Sequence, residues 1–355
     1  MNRRWISGAT PEASQRRMSS IRYQPSPAYK DSGPYRTGIL LVNSGTPDSL
    51  TSGGVRNFLR RLLRDRRTIE VPRAIWCWIL YLIILPTRPM RVLPKYRRVW
   101  TERGSPLLLH SQALRDALRA ALRDRHGEVD VELGMLYSTP DVAQGLAALR
   151  AAGAQRIVVL PLFPQYSGTT NAAAYDQVGA ALRGWRYVPE LHLLADYAAE
   201  PPYIAALAQS VRAWRAQHGA GEHLLMTFHG IPKKYVEQGD PYQRKCERTA
   251  HALAAALGLA DEAWSISFQS RVGTAEWLKP YTDDVVKDIA RRGVKTLDTV
   301  CPGFAVDCLE TVDEIGHECD VAFRAAGGGQ LRYIPALNAT AAHVDVLSAL
   351  LRPLL

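Results

Sequence analysis

The apolar run LLMTF leads through Phe228 into His229, and Gly230-Ile231-Pro232 follows at once. An imidazole at the C-terminal end of a buried strand, on a Gly-Ile-Pro turn, stands at the mouth of a cleft. Neutral imidazole there can bind a metal or accept a proton near neutral pH. The same position also suits a structural histidine that caps the next helix. A second group is DCLETVDEIGHEC, residues 307–319. On an α-helix Asp307, Glu310, Glu314 and His317 fall at i, i+3, i+7 and i+10 and form one stripe of acceptors. Stacked carboxylates repel one another unless something positive visits them, and a divalent cation or a stream of protons would do so. A solvated acidic face is the plainer alternative. The apolar, Gly/Pro-bearing loop VCPGFAV runs straight into the stripe and argues for a cleft.

Three smaller groups accompany these. Pro164-Gln165-Tyr166-Ser167-Gly168-Thr169-Thr170 carries an amide and several hydroxyls after a strand, suited to binding or to helix capping. Tyr96-Arg97-Arg98-Val99-Trp100, followed by Gly104-Ser105-Pro106, sets paired arginines beside aromatics. That suits the carboxylates of a flat aromatic ligand, with nucleic-acid phosphate as the competing target. Trp277 in AEWLKP reads as a stacking wall or as core.

The elements that must position these residues follow an α/β pattern. Short β-branched runs at 38–43, 130–136, 156–161, 191–195, 223–228, 264–268, 296–300 and 331–334 predict strands. Between them, Ala/Leu/Arg-rich stretches such as 111–125, 140–152, 203–217, 243–257, 281–292 and 341–351 predict helices. The alternation predicts parallel sheets with crossover helices. A weak internal duplication is visible: one strand ends in Asn43-Ser44-Gly45-Thr46-Pro47 and another in Phe228-His229-Gly230-Ile231-Pro232. Two similar βα lobes would form a cleft between the C-terminal ends of their strands, where open α/β sheets bind ligands. No GxGxxG follows a strand and no Walker A motif is present, which argues against a nucleotide cofactor.

The chain has 355 residues and a net charge of +10. Its ordinary globular composition excludes whole-chain disorder, collagen and coiled coil. The charge is unevenly spread. Residues 1–37 carry seven basic and two acidic side chains, and 56–103 carry thirteen and three, so the remainder is mildly acidic. Val55, Phe58, Leu59, Leu62 and Leu63 line one face of a predicted helix, with Arg56, Arg60, Arg61 and Arg64 on the other. The run AIWCWILYLIIL, 74–85, closed by Pro86, is too short for a bilayer, which needs about 20 residues. It reads as a buried helix or, with its basic neighbour, as a lip resting on an anionic membrane surface. Residues 1–36 are expected to be a poorly ordered basic tail without the apolar core of a secretory signal. The five cysteines are odd in number and lack C-x-x-C spacing, which points to a reducing cytoplasm.

At these residues the sequence resembles the ferrochelatases, most closely those of proteobacteria. LVNSGTPDS, YRRVWTERGSPL, LPLFPQYSGTT, TFHGIPKKY, SFQSRVGTAEWLKP, DCLETVDEI and YIPALN carry the likeness in order along nearly the whole folded chain. The resemblance implies two Rossmann-like lobes, each a parallel four-stranded sheet flanked by helices, with a porphyrin cleft between them. The lobes would span 37–195, with a membrane-facing lip at 56–103, and 196–335, and a helix at 336–355 would pack back across both. It implies insertion of ferrous iron into protoporphyrin IX, with Fe²⁺ as substrate and no dissociable cofactor. His229 and Glu310 are expected to bind the metal and handle the pyrrole protons. Asp307 and Glu314 are expected to form an acidic path. Arg97 and Arg98 are expected near the propionates, with Ser44, Tyr137, Gln165, Ser167 and Trp277 on the pocket wall.

The sequence departs from the family pattern at Cys308, where some relatives have His, and at Leu136, where Arg is frequent. No clustered cysteines follow residue 338, so no iron–sulfur cluster is expected. Competing functions are a chelatase for another metal or tetrapyrrole, such as coproporphyrin or sirohydrochlorin with cobalt, and a non-catalytic porphyrin or haem carrier. A nucleic-acid partner is not expected, because the acidic stripe would repel it. The expected location is the cytoplasm, peripheral on the inner face of the cytoplasmic membrane.

Overall fold

The computed structural model describes Tyr23, Gln24 and residues 35–355. The basic tail expected over 1–36 lies largely outside these residues. Where it is described it is docked: Gln24 bridges Trp185, and the Arg186 guanidinium lies 4.4 Å above the Tyr23 ring.

The first sheet has the order β2-β1-β3-β4, all parallel: β1 is Thr37–Asn43, β2 Asp130–Met135, β3 Arg156–Pro161 and β4 Glu190–Leu193. The second repeats that order as β6-β5-β7-β8, with β5 His223–His229, β6 Trp264–Gln269, β7 Thr296–Val300 and β8 Gln330–Ile334. Both faces of each sheet are covered, so the strands are continuously apolar rather than alternating. In β1, Ile39 and Leu41 face one core while Leu40 and Val42 face another. In β5, Leu224 and Met226 face one core and Leu225 the other.

Helices supply the crossovers. In the first lobe these include α1 (Ser52–Arg64), the long lip helix α2 (Arg73–Val99), α3 (Pro106–His126), α4 (Val142–Ala151) and α5 (Asn171–Leu182). Then come α6 (Pro201–His218), the short α7 (Lys233–Glu237), α8 (Tyr242–Leu257) and α9 (Thr282–Arg291). A π-helix, Glu310–Cys319, runs on as α10, Asp320–Ala325, and α11 is Ala341–Leu351. The last helix ties the lobes together. Its Leu347 and Leu351 join the core under β1 and β2, while its Val346 joins the core of the second sheet.

The expected register of α1 is observed: Val55, Leu59 and Leu63 are buried against Trp76, Leu80, Leu85 and Tyr96 of α2. The Thr51 hydroxyl caps α1 by accepting from Gly54 N.

Two local readings change. The apolar run ends at Pro86 but the helix does not, continuing through Pro86, Pro89 and Pro94 to Val99, and the run is largely exposed rather than a buried helix. A π-turn at Leu80–Ile84 precedes Pro86, and the wider i→i+5 bonding there loosens the backbone ladder that a proline without an N–H would otherwise break. The second change is at 310–319. The acidic stripe lies on a π-helix rather than an α-helix, which replaces the i+3/i+4 alignment by one nearer i+4/i+5.

Candidate active site

A cavity of about 1240 Å³ opens between the lobes. Its walls come from the C-terminal ends of strands in both sheets: Asn43–Thr46 after β1, Leu136 and Tyr137 after β2, Leu162 and Phe163 after β3, His229–Pro232 at β5, Phe268–Ser270 at β6, and Gly303–Val306 after β7. This is the place where open parallel sheets leave strand ends unoccupied by helices. The volume exceeds the usual range of small-ligand pockets, about 300–1,000 Å³, and admits a large, flat macrocycle.

His229 stands at the end of β5, half-buried on the cavity wall. Its Nδ1 lies 2.7 Å from the carbonyl oxygen of Gly230. A carbonyl can only accept, so Nδ1 donates, which in the neutral ring leaves the lone pair on Nε2. The backbone at Gly230 packs so closely that a Cβ there would sit 2.9 Å from Gln269 O and 3.2 Å from the Trp277 ring. Glycine is thus what lets the backbone after His229 pass this close to β6 and Trp277, whose ring centroid lies 6.4 Å from the imidazole.

The π-helix supplies another stretch of the wall. Glu310, Asp313, Glu314 and Glu318 line the cavity. The wide helical turn aligns Glu310, Glu314 and Glu318, so Glu318 takes the place that the α-helical reading gave to Asp307. Asp307 does not line the cavity. It is buried and engaged, accepting from the Tyr333 hydroxyl at 2.5 Å, Asn338 Nδ2 at 2.7 Å and the Thr311 hydroxyl at 3.0 Å. It fixes the entry of the π-helix instead of extending an acidic path. His317 is likewise outside the cavity wall.

Gln269, the last residue of β6, and Ser270 after it tie the π-helix to the sheet. Gln269, the register partner of His229, donates from Nε2 to Glu310 O at 2.8 Å. Ser270 holds Glu314 by its backbone N–H (2.7 Å) and its hydroxyl (2.6 Å). It does so at φ 66°, a left-handed conformation that a non-glycine residue adopts only under constraint. Burial lifts the Glu314 carboxyl to about 7; Ser270 pulls it down and the Glu310 charge pushes it up. A carboxyl titrating there can both take and release a proton at neutral pH. Burial, reinforced by Glu310, also raises the Cys308 thiol and the Tyr96 phenol, both on the cavity wall.

The basic residues are arranged differently from the sequence expectation. Arg97 is exposed and off the cavity wall. Arg98 is committed to the π-helix: Nε and Nη2 meet Asp313 at 2.5 and 3.0 Å, and Nη2 meets Glu318 at 3.3 Å. Lys95 adds a 2.7 Å pair to Glu318. These pairs join the lip helix to the acidic wall across the lobes. Among the cations on the cavity wall is Arg88, with no carboxylate partner among the described residues and a guanidinium whose pKa burial lowers; Lys234, Arg271 and Lys287 also line the cavity. Sequence reasoning missed Arg88 because it lies beyond the proline thought to end the helix.

The remaining expected wall residues divide. Ser44, Tyr137 and Trp277 line the cavity, and the Tyr137 hydroxyl donates to Asp65 at 2.9 Å. Gln165 touches the cavity but is buried, donating to Thr249 Oγ1 (3.0 Å) and Pro302 O (3.2 Å) of the other lobe. Ser167 is off the wall and donates to Asp240 at 2.9 Å. Both are inter-lobe ties. Among the described residues no three His, Cys, Asp or Glu side chains converge to cage a cation.

The ferrochelatase family model matches residues 36–354. The chain is a member of the ferrochelatase family. It is 49% identical over 316 residues to the ferrochelatase of Aeromonas hydrophila, covering 89% of this chain and 98% of that one. It is 45% identical over 317 residues to that of Vibrio cholerae, covering 89% and 98%. Among solved structures it is similar to the sirohydrochlorin chelatase SirB of Bacillus subtilis subspecies spizizenii in complex with cobalt. The TM-score is 0.53 at 11% identity, over 89% of this chain and 94% of that one. CbiX, the terminal enzyme of sirohaem biosynthesis in denitrifying bacteria, gives 0.50 at 13%, over 90% and 99%. At such identities the likeness is one of fold: two parallel sheets flanked by helices, as in this ferrochelatase family member.

Proposed function

We propose that this ferrochelatase family member inserts ferrous iron into protoporphyrin IX, releasing two protons and giving protohaem, as a lyase in haem biosynthesis. The observation that carries the reading is that one cavity is lined by both the His229 imidazole and the acidic π-helix bearing Glu310 and Glu314.

The reaction breaks two pyrrole N–H bonds and places a dication among four ring nitrogens. His229 Nε2 accepts a pyrrole proton on one face of the ring. Glu310 meets Fe²⁺, and its charge balances part of the dication's until the ring takes it. Imidazole and carboxylate bind Fe²⁺ well enough to position it and weakly enough to give it up. Glu314, titrating at about 7, relays protons outward. Arg88, unpaired on the cavity wall, meets a propionate, and Trp277 and Tyr137 bound the ring plane.

On this reading Fe²⁺ and the porphyrin are the only reactants, with no organic cofactor and no iron–sulfur cluster. Anaerobic incubation of the purified protein with Fe²⁺ and protoporphyrin should give the absorption spectrum of protohaem. Binding of the porphyrin without metal insertion would leave a carrier, and faster insertion into coproporphyrin would shift the substrate.

The reading extends to a cytoplasmic protein resting on the inner membrane face. It is supported by the lip helix, which exposes Trp78 (70%), Leu82 (65%) and Met90 (67%) beside a basic α1. At 27 residues it is long enough to span a bilayer, but its second half lines the cavity through Val92, Lys95, Tyr96 and Val99 and is held there by the pairs to the π-helix. Replacing Trp78 and Leu82 by serine should abolish co-sedimentation with anionic vesicles; unchanged pelleting would remove the membrane from the reading.

A further inference from the structure

A second cavity, of about 320 Å³, opens on the first lobe behind the wall of the cleft. Arg60, Arg61 and Arg64, from the last turns of α1, line one side of it. Leu136 and Tyr137 also line it, and the same two residues face the large cavity.

The charge in this pocket is not balanced. Asp65 is its one acidic lining residue, and both Asp65 oxygens are occupied: Oδ2 accepts from the Tyr137 hydroxyl at 2.9 Å and Oδ1 from Arg67 N at 2.8 Å. The carboxylate nearest Arg61, Asp48, is 4.0 Å away. Arg60 and Arg64 have no ion-pair partner among the described residues. Arg67, just beyond the helix, makes the contrast, because Asp176 neutralises it with bonds of 2.8 and 3.1 Å. Gln177 spends its amide N–H₂ on Leu136 O at 3.1 Å. The helix C-terminus favours cations and offsets part of the repulsion among the arginines. It does not explain why they line a cavity.

Among the lining residues three guanidinium groups meet one occupied carboxylate, and the 4.0 Å Arg61–Asp48 pair offsets only part of the excess, which leaves the pocket suited to an anion. The planar guanidinium fork meets tetrahedral phosphate oxygens in pairs. A volume at the low end of the small-ligand range admits a phosphate group and excludes a second tetrapyrrole. We propose that this pocket is a phosphate site, taking the phosphate of a soluble phosphomonoester or of a phospholipid headgroup. The lip lies within reach of either source. Arg73 Nη2 donates to Arg64 O at 2.5 Å and Trp76 Nε1 to Leu63 O at 2.6 Å, so the arginine end of α1 is clamped to the start of the exposed lip helix. The occupant would stand one side chain away from the cleft, behind Tyr137.

The test is calorimetric titration of inorganic phosphate into the full chain at low salt. It compares the parent with Arg60→Gln/Arg64→Gln and with Arg56→Gln/Arg66→Gln, which removes equal charge from exposed positions outside the pocket. The parent and the second variant should bind phosphate alike, and the first at least about tenfold more weakly. Circular dichroism checks the fold of each, and Arg64→Gln alone serves if the double variant unfolds. Absence of binding by the parent, or equal weakening in both variants, overturns the site in favour of diffuse surface charge. Pelleting with phosphatidylcholine vesicles containing phosphatidic acid then separates the sources. Competition by free phosphate that disappears in Arg60→Gln/Arg64→Gln marks the headgroup, and phosphate binding that leaves pelleting unchanged marks a soluble ligand.

Discussion

β1 and β5 hold the same place in sheets of the same order, yet they end in different chemistry. β1 ends in Asn43, whose amide is used up locally: Nδ2 donates to Ser111 at 3.2 Å and Oδ1 accepts from Ser44 N at 2.8 Å. β5 ends in His229, whose Nδ1 is tied to Gly230 O while Nε2 stays free on the cavity wall. The next strand differs in the same sense. After β3 comes Gln165, spent on the other lobe, whereas after β7 come Cys308 and Glu310 on the cavity wall. The first lobe uses its strand ends as scaffold and adds a lip. The second leaves its strand ends reactive. One topology thus serves two purposes through the few residues beyond each strand.

The sharpest way to break this comparison is to exchange the reactive end for an inert one. His229→Ala should lower iron insertion by about 10³-fold with the circular dichroism spectrum unchanged, since a positioned proton acceptor contributes about 10²–10⁴. A folded His229→Ala protein within tenfold of the parent would remove the imidazole from the mechanism. Glu310→Gln keeps shape and loses charge. It should reduce kcat by about 10²-fold, with the KM for porphyrin little changed, because the loss falls on the metal side.

How much of this was legible in the sequence follows from what sets each feature. The strands were readable because both faces of each sheet are buried, which writes runs such as ILLV and IVVL directly into the chain. His229 was readable because it ends such a run. The π-helix was not, since i→i+5 bonding leaves no apolar period to count, so Asp307 was placed on the acidic face and Glu318 was not. Arg98 was misplaced for a different reason. Its partner, Asp313, lies 215 residues away on the other lobe, and only the folded cleft brings them together. Gln165 and Ser167 were recognised as polar and placed on the pocket wall. Which lobe their hydrogen bonds would serve is a property of docking, not of local sequence.

A gentler test concerns the proton relay. The Glu314 carboxyl is held at about 7 in the folded protein against 4.5 for an ordinary glutamate. A carboxyl raised on folding binds its proton more tightly in the native state. Its contribution to stability is present below about pH 4.5 and is lost as the pH rises through 7. Glu314→Gln removes that dependence. The variant should gain up to about 3 kcal/mol relative to the parent between pH 5 and pH 8 in denaturant titrations. Its insertion rate should fall about tenfold at pH 7 and lose the inflection near that pH. A parent and variant that track one another across the range would mean that the relay does not pass through Glu314.

The inter-lobe pair comes next in size. Asp313 is 1% exposed, and its carboxylate is answered by Arg98, itself 41% exposed. Arg98→Ala leaves a buried charge facing a partly open site and should cost about 2 kcal/mol in urea unfolding. Because the pair ties the lip helix to the acidic wall, insertion should also fall about fivefold and become less sensitive to salt. A stability loss with kinetics untouched would make the pair a strut with no bearing on cleft geometry.

The smallest effect on chemistry is expected at the scaffold end, and it completes the comparison. Asn43 is buried and lines the cavity, as His229 does, but its bonds run only to Ser111 and Ser44. Asn43→Ala should destabilise the first lobe by about 1–3 kcal/mol, the penalty of leaving those partners unanswered. Iron insertion measured below the unfolding transition should stay within about threefold of the parent, since no step of the proton or metal transfer passes through this amide. A drop comparable to that of His229→Ala would mean that the two strand ends act together on the substrate, and the division between a scaffold lobe and a reactive lobe would have to be given up.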